Sequence, residues 1–402
     1  MDKVDGAHLQ EFLDGVGDIL GNKARRASFA SYAAGLFGEG DRKSQEPIAM
    51  RVCGGVEHAD AAHQRMNHFI TSSEWSDREV RQYSTRYVVS AMRQGGPVTS
   101  WIIDDTGFLK QGTHSVGVQR QYTGSAGKIA NCQIGVSLVV ATAHDHAPID
   151  FELYLPKSWA NDPARRLEAR IPEDVVFRTK IELAVSMLRR AAHDNVPRGT
   201  LLADAWYGDE PSFRAAAEEL GLDYAVGINS DNRVWLVDSH GRRNGSPMTV
   251  AALAKRLGPK SFRRFTWREG TQKKLSARFA FATVVPAFRA GTNPASRSKV
   301  RLLIESPDGE ENLKFAFAKM ADAMSKKKLI RTLKERWRIE RTYEDLKGEL
   351  GLDHFEGRRF RGWHHHVSVA LACYAFTVAE RARLSPPPQR RISHYDAFPR
   401  AA

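Results

Sequence analysis

The chain has 402 residues, 42% of them hydrophobic, with 60 Lys and Arg against 47 Asp and Glu and a net charge of +13. That apolar share suffices to bury a core and excludes a disordered chain, while the basic excess favours a polyanionic partner, because each neutralised phosphate releases condensed counterions. A membrane partner is not expected: the longest apolar run, VSVALACYAFTVA at 367–379, is too short for a span of about 20 residues and reads as a buried helix.

Residues 1–95 read as helical, with apolar positions at three and four spacing in LQEFLDGVGDIL and VRQYSTRYVVSAM. The basic stretches ARRASFASYAAGLF and GDRKSQEP make this segment a DNA-binding domain, or else a helical cap on the core. The acidic, polar start MDKVDGAHLQEFLDG lacks a signal-peptide pattern, and Cys53, Cys132 and Cys373 form no C-x-x-C and no even framework. The expected location is a reducing cytoplasm.

From 96 the pattern changes to strands: TSWIIDD, THSVGVQRQY, CQIGVSLVVATA and PIDFELYLP. A helix over 174–193, the run TLLADAW at 200–206, a helix over 210–220 and the strand DYAVGI complete the first part of a catalytic core at 96–230, a mixed α/β sheet. Residues 231–325 hold short Val-, Trp- and Phe-containing runs broken by Gly, Pro, Asn and Ser, a β-rich insertion. A helix beginning near 326 opens the C-terminal part of the core, 326–385, and SPPPQRRISHYDAFPRAA makes 386–402 a disordered tail.

Two acidic sites follow apolar strand runs: Asp104 and Asp105 in WIIDDT, and Asp204 in LLADAW. Each alone could be a turn residue. If their strands are neighbours, the carboxylates cluster in the crevice where such sheets bind ligands, and clustered negative charge persists only when paired or metal-bound. Oxygen ligands favour Mg²⁺ or Mn²⁺, and two such ions suit phosphodiester cleavage. The third acid can come from RWRIERTYEDLKGELGLDHFEGRRFRGWHHH at 336–366. At 100° per residue Arg336 and Glu340 lie about 40° apart and Lys347 about 20° from Arg336, so they share one helix face. Glu344 lies about 40° beyond Glu340, and this geometry does not separate the two.

R-W-x-I-E with a Lys seven residues after the Glu, preceded by strand-end aspartates and a β-rich insertion, resembles the DDE transposases of bacterial insertion sequences, in the branch with a Tyr-Arg-Glu-Lys signature. The resemblance implies an RNase H-like α/β fold and a Mg²⁺-dependent enzyme, with Mn²⁺ able to substitute. Such an enzyme binds terminal inverted repeats on double-stranded DNA, cleaves there, and joins the 3′-hydroxyl ends to target DNA, with a homodimer expected in the DNA complex. Residue by residue, the family's acids fall on Asp105, with Asp104 adjacent, on Asp204 and on Glu340; the signature Arg and Lys fall on Arg336 and Lys347. The signature Tyr position holds Leu333. Lys128, Arg338, Arg358 and Arg359, in the blocks that carry the resemblance, are further expected DNA contacts.

YTGSAGK at 122–128 is not a P-loop, since Tyr122 stands where Gly is required; it is a β-turn or a lining of the DNA channel. His364, His365 and His366 point in different directions on a helix and read as structural or DNA-facing rather than zinc-binding. Trp235 and Trp267, with Arg263, Arg264 and Arg268, pack in the insertion or stack on an unpaired base. Two rival functions are a DNA-binding regulator that no longer cuts and an RNase H-like nuclease without strand transfer.

Overall fold

The computed structural model describes residues 6–53, 56–238, 240, 242–269, 274–287, 298–321 and 324–384; the expected tail at 386–402 lies outside them. The first five elements are helices: α1 (Gly6–Leu20), α2 (Lys23–Phe37), α3 (Gln45–Val52), α4 (Val56–Thr71) and α5 (Asp77–Gln94). Side-chain caps start two of them, Asn22 accepting from Arg25 N–H and Ser76 from Glu79 N–H.

The chain then forms β1 (Ser100–Leu109), β2 (Gln119–Thr123), β3 (Lys128–Ala141) and β4 (His146–Tyr154). Of the expected strand THSVGVQRQY only its second half pairs, as β2 against the start of β3. After α6 (Lys157–Ala160) and α7 (Pro163–Ala169) comes α8 (Lys180–His193). It starts later than the periodicity suggested, because Thr179 and Glu182 form a capping box that fixes the first turn there. β5 (Thr200–Ala203), α9 (Ala205–Gly208), α10 (Pro211–Glu219) and β6 (Tyr224–Ile228) follow.

Next come β7 (Arg233–Val237), β8 (Arg243–Thr249), α11 (Val250–Leu257), β9 (Arg263–Glu269), β10 (Lys274–Pro286), β11 (Val300–Ser306) and β12 (Lys314–Lys319). The chain closes with α12 (Lys326–Lys334), α13 (Trp337–Gly348) and α14 (Phe360–Leu384). The helix expected from 326 is therefore two. Bonds of the tighter i→i+3 type, Glu335 N–H to Thr332 O and Arg338 N–H to Glu335 O, turn the chain between α12 and α13.

β3 lies antiparallel to β1 and β4 antiparallel to β3, while β5 runs parallel to β1 and β6 parallel to β5. The order β4-β3-β1-β5-β6 is an RNase H-like mixed sheet. The insertion continues it: β12 pairs with β6, Phe317 opposite Val226, and β11, β10, β7 and β8 extend the sheet outward.

α14 is buried along most of its length and joins the sheet's core to the N-terminal helices, with Phe12 packing on Tyr87 and Phe376. The three histidines serve this joint. His365 stacks on Trp75 and is held by Ile70 O and Trp75 O, and His366 meets Tyr32 Oη, Gly351 O and Leu352 O. His364 lies near Glu152. Burial pushes His365 and His366 down to about 4, against the backbone carbonyls at their ring nitrogens, which favour the charged form; both are structural side chains. Among the described residues no helix is long and apolar enough to cross a membrane.

Candidate active site

Alternation along a strand sends neighbouring side chains to opposite faces of the sheet. On β1 this separates Asp104 from Asp105. Asp104 faces α13, where Arg336 Nη1 donates to its Oδ2 at 2.7 Å. Asp105 faces α8 and α9, receiving Lys180 Nζ at 3.1 and 3.2 Å and Tyr207 Oη at 3.2 Å. The first acid is expected at Asp105, with Asp104 adjacent; of the two, the carboxylate that meets the Arg336 helix is Asp104.

Asp204 follows β5, the parallel neighbour of β1, and caps α9 by accepting from Trp206 N–H at 3.0 Å and Tyr207 N–H at 3.3 Å. Two glycines permit its placement. A Cβ on Gly227 would lie 2.9 Å from Ala205 N, and one on Gly208 would lie 1.9 Å from Gly227 O, so only bare backbone lets β6 run this close to the Asp204 turn.

α13 presses Ile339, Thr342, Tyr343 and Leu346 onto the sheet, with Tyr343 Oη 2.7 Å from Ser137 Oγ and Thr342 Oγ1 2.9 Å from His146 Nδ1. That seating fixes Arg336 and Glu340 at the rim. The second guanidinium nitrogen of Arg336, Nη2, donates to Glu340 Oε1 at 2.7 Å, so one side chain bridges Asp104 and Glu340. Asp204, Arg336 and Glu340 line one cleft of about 290 Å³, with Leu333 in its wall. Glu344, which helix geometry left open, turns outward to Arg341 at 3.3 Å and does not line that cleft.

Burial pushes the Asp104 carboxyl up to about 7; Arg336 opposes that shift, and the charges of Asp204 and Asp105 add to it. Asp204 is also raised, first by burial, against the pull of its backbone donors and Arg336. The site therefore holds more negative charge than its burial favours.

Lys347 does not stand free for a phosphate. Its Nζ donates to Thr106 Oγ1 and Gly107 O, both at 2.8 Å, and to Ser125 Oγ at 3.2 Å, tying the β2–β3 turn of YTGSAGK to β1 and α13. Burial lowers its pKa. Arg338, expected on DNA, is buried instead, bound to Glu335 and to Ala143 O at 2.9 Å. A residue two positions from Arg336 faces the other side of the helix, toward the sheet. Lys128 and Arg358 are exposed; Arg359 is half-buried, 3.4 Å from Ser72 Oγ. In residues 231–325, Trp267 lies under Lys334 of α12, Arg268 over Trp337 of α13 and Arg243 over Trp235, while Arg264 pairs with Asp308.

The sequence reading missed Lys180 and Trp206. Lys180 Nζ lies 5.6 Å from the centre of the Trp206 ring, and that ring is 63% exposed beside Asp204. No local motif marks Lys180, because its partner Asp105 is 75 residues away.

Residues 15–274 match the family described as DDE superfamily endonuclease, a span that takes in Asp104, Asp105 and Asp204. The chain belongs to the DDE superfamily endonucleases. The chain is 28% identical over 211 residues to a protein of Microchaete diplosiphon described as a probable transposase for insertion sequence element IS701. The match covers 52% of this chain, and the chain spans about half the length of that relative. Among solved structures, the piggyBac transposase synaptic complex with hairpin DNA matches 90% of this chain and 67% of that chain, at 10% identity and a TM-score of 0.44.

Among the described residues no three His, Cys, Asp or Glu side chains stand together as a ready metal cage. Asp104, Asp204 and Glu340 offer only oxygens, the donor type that hard divalent ions take, and a guanidinium already bridges two of the three.

Proposed function

We propose that this DDE endonuclease is a transposase that binds the inverted repeats at its element's ends, cuts the DNA there and joins the 3′-hydroxyls to target DNA. The observation that carries the reading is the Arg336 bridge between Asp104 and Glu340, in an RNase H-like sheet, next to Asp204. Asp104, Asp204 and Glu340 would hold Mg²⁺, or Mn²⁺ in its place. Two such ions, when bound, activate the attacking oxygen and stabilise the leaving one.

The chain's own residues then have separate tasks. Asp204 is held by two backbone N–H groups, so its carboxylate keeps one orientation. Arg336 supplies paired donors that match a phosphate as well as they match a carboxylate. Lys347 keeps the β2–β3 turn and the end of β1 in register with α13. A cleft between α2 and α4, lined by Arg25, Arg65 and His68, gives the N-terminal helices a surface for the DNA backbone, with exposed Lys128 and Arg358 as further contacts. Joining two ends calls for a homodimer on DNA.

The test is cleavage of labelled linear DNA carrying the native element ends, with Mg²⁺ or with EDTA. Wild type is compared with Asp104→Asn, Asp105→Asn, Asp204→Asn and Glu340→Gln. Cutting and end joining lost in the Asp104, Asp204 and Glu340 variants, with end binding kept, is the expected result. A wild-type protein that binds ends and never cuts with any divalent metal would instead be a DNA-binding regulator.

A further inference from the structure

Arg336 places its own cation between two of the acids. Its Nη1 and Nη2 reach Asp104 and Glu340 at 2.7 Å each, so the one guanidinium neutralises two of the three acids proposed to hold metal. The Asp104 side chain is 17% exposed and that of Arg336 30%, so solvent screens this contact less than a surface pair. Glu340 is the open end of the bridge, its side chain 58% exposed. A phosphate group entering at that end offers the same guanidinium an equally good paired acceptor.

We propose that Arg336 is a positioning residue that couples metal occupancy to DNA: without DNA its guanidinium blocks the acids, and a DNA phosphate draws it off Glu340 and Asp104 and frees them. The inference rests on the metal reading above and adds a linkage to it. DNA tightens metal binding by some factor, and metal tightens DNA binding by the same factor. The arrangement keeps the protein from holding a reactive metal site away from its substrate. Lysine replaces arginine only in part here, because its ammonium is a compact point charge without the planar fork that meets both carboxylates.

The test measures Mn²⁺ binding by electron paramagnetic resonance at pH 8.5, with and without an excess of short duplex DNA. The proteins are wild type, Arg336→Gln and Arg336→Lys, with Asp204→Asn and DNA alone as corrections for Mn²⁺ bound elsewhere. Coupling free energies between sites correspond to about 5- to 150-fold, and roughly tenfold is expected here. Wild type should bind Mn²⁺ weakly alone and about tenfold more tightly with DNA. Arg336→Gln should bind Mn²⁺ tightly without DNA and gain less from it, with Arg336→Lys between the two. Equal DNA-free affinity in wild type and Arg336→Gln overturns the coupling and leaves the metal reading standing. Absence of site-specific Mn²⁺ binding in every protein, with DNA present, overturns both.

Discussion

Replacing Asp104 by Asn should make the metal-free protein more stable at alkaline pH while abolishing cutting. The folded state holds this carboxyl at about 7 against an ordinary 3.8, chiefly because it is buried. At about 1.4 kcal/mol for each tenfold change, ionised Asp104 costs the fold about 4 kcal/mol. The sign follows from proton counts. Between pH 4 and 7 the unfolded chain has released a proton that the folded protein still holds, so stability falls as pH rises through this window and the loss is complete above 7. Asn removes the charge, and the attraction of Arg336 that is lost with it is already contained in the value of about 7, since Arg336 opposes the burial there. A net gain of about 4 kcal/mol at pH 8 and almost none at pH 4 is expected, measured by urea unfolding in EDTA. Asp105→Asn should do the opposite, losing about 1–3 kcal/mol at pH 8, because it strips the half-buried Lys180 of its carboxylate. If Asp104→Asn is no more stable than wild type at pH 8, or shows the same difference at pH 4, the reasoning about a strained, charge-rich site is wrong.

Glu340→Gln should lose cleavage of labelled ends, whereas Glu344→Gln, whose side chain is 68% exposed and paired with Arg341, should cut like wild type. His365 and His366 are held at about 4 by burial while the unfolded chain titrates near 6.5, so unfolding takes up protons. Stability should fall by about 3 kcal/mol for each as pH drops from 6.5 to 4, read from urea midpoints and from the early exposure of Trp75. Gly227→Ala should lower stability by about 1–3 kcal/mol and abolish cutting, since its Cβ would push on the backbone that follows Asp204. Normal cleavage by that variant would mean the Asp204 turn tolerates displacement.

The fold was legible where side-chain period and burial agree. β1, β3 and β4 read as apolar runs because the sheet is covered on both faces, and α14 read as a buried helix for the same reason. What the reading lacked depends on single hydrogen bonds or on tertiary packing, neither of which the period of apolar residues records. The late start of α8 and the break between α12 and α13 are set by hydrogen bonds at single residues, which periodicity does not sense. Arg338 shares the charge pattern of its neighbours, and only the packing of α13 on the sheet shows that it faces inward.

The choice between Asp104 and Asp105 shows how the two kinds of information differ. Family resemblance points to a two-residue motif and places the acid before the threonine, but a strand turns adjacent residues about 180° apart, so one of the pair must face away from α13. Which one does so is decided by the register of β1 against β3, Asp104 opposite Ser137. Tyr343 on α13 meets that same Ser137 at 2.7 Å. Directly opposite residues of an antiparallel pair share a face, so Ser137 and Asp104 both belong to the α13 side. Which of the two carboxylates faces α13 is therefore a property of strand register, and a one-residue slip of β1 would exchange the faces of Asp104 and Asp105 without changing the sequence.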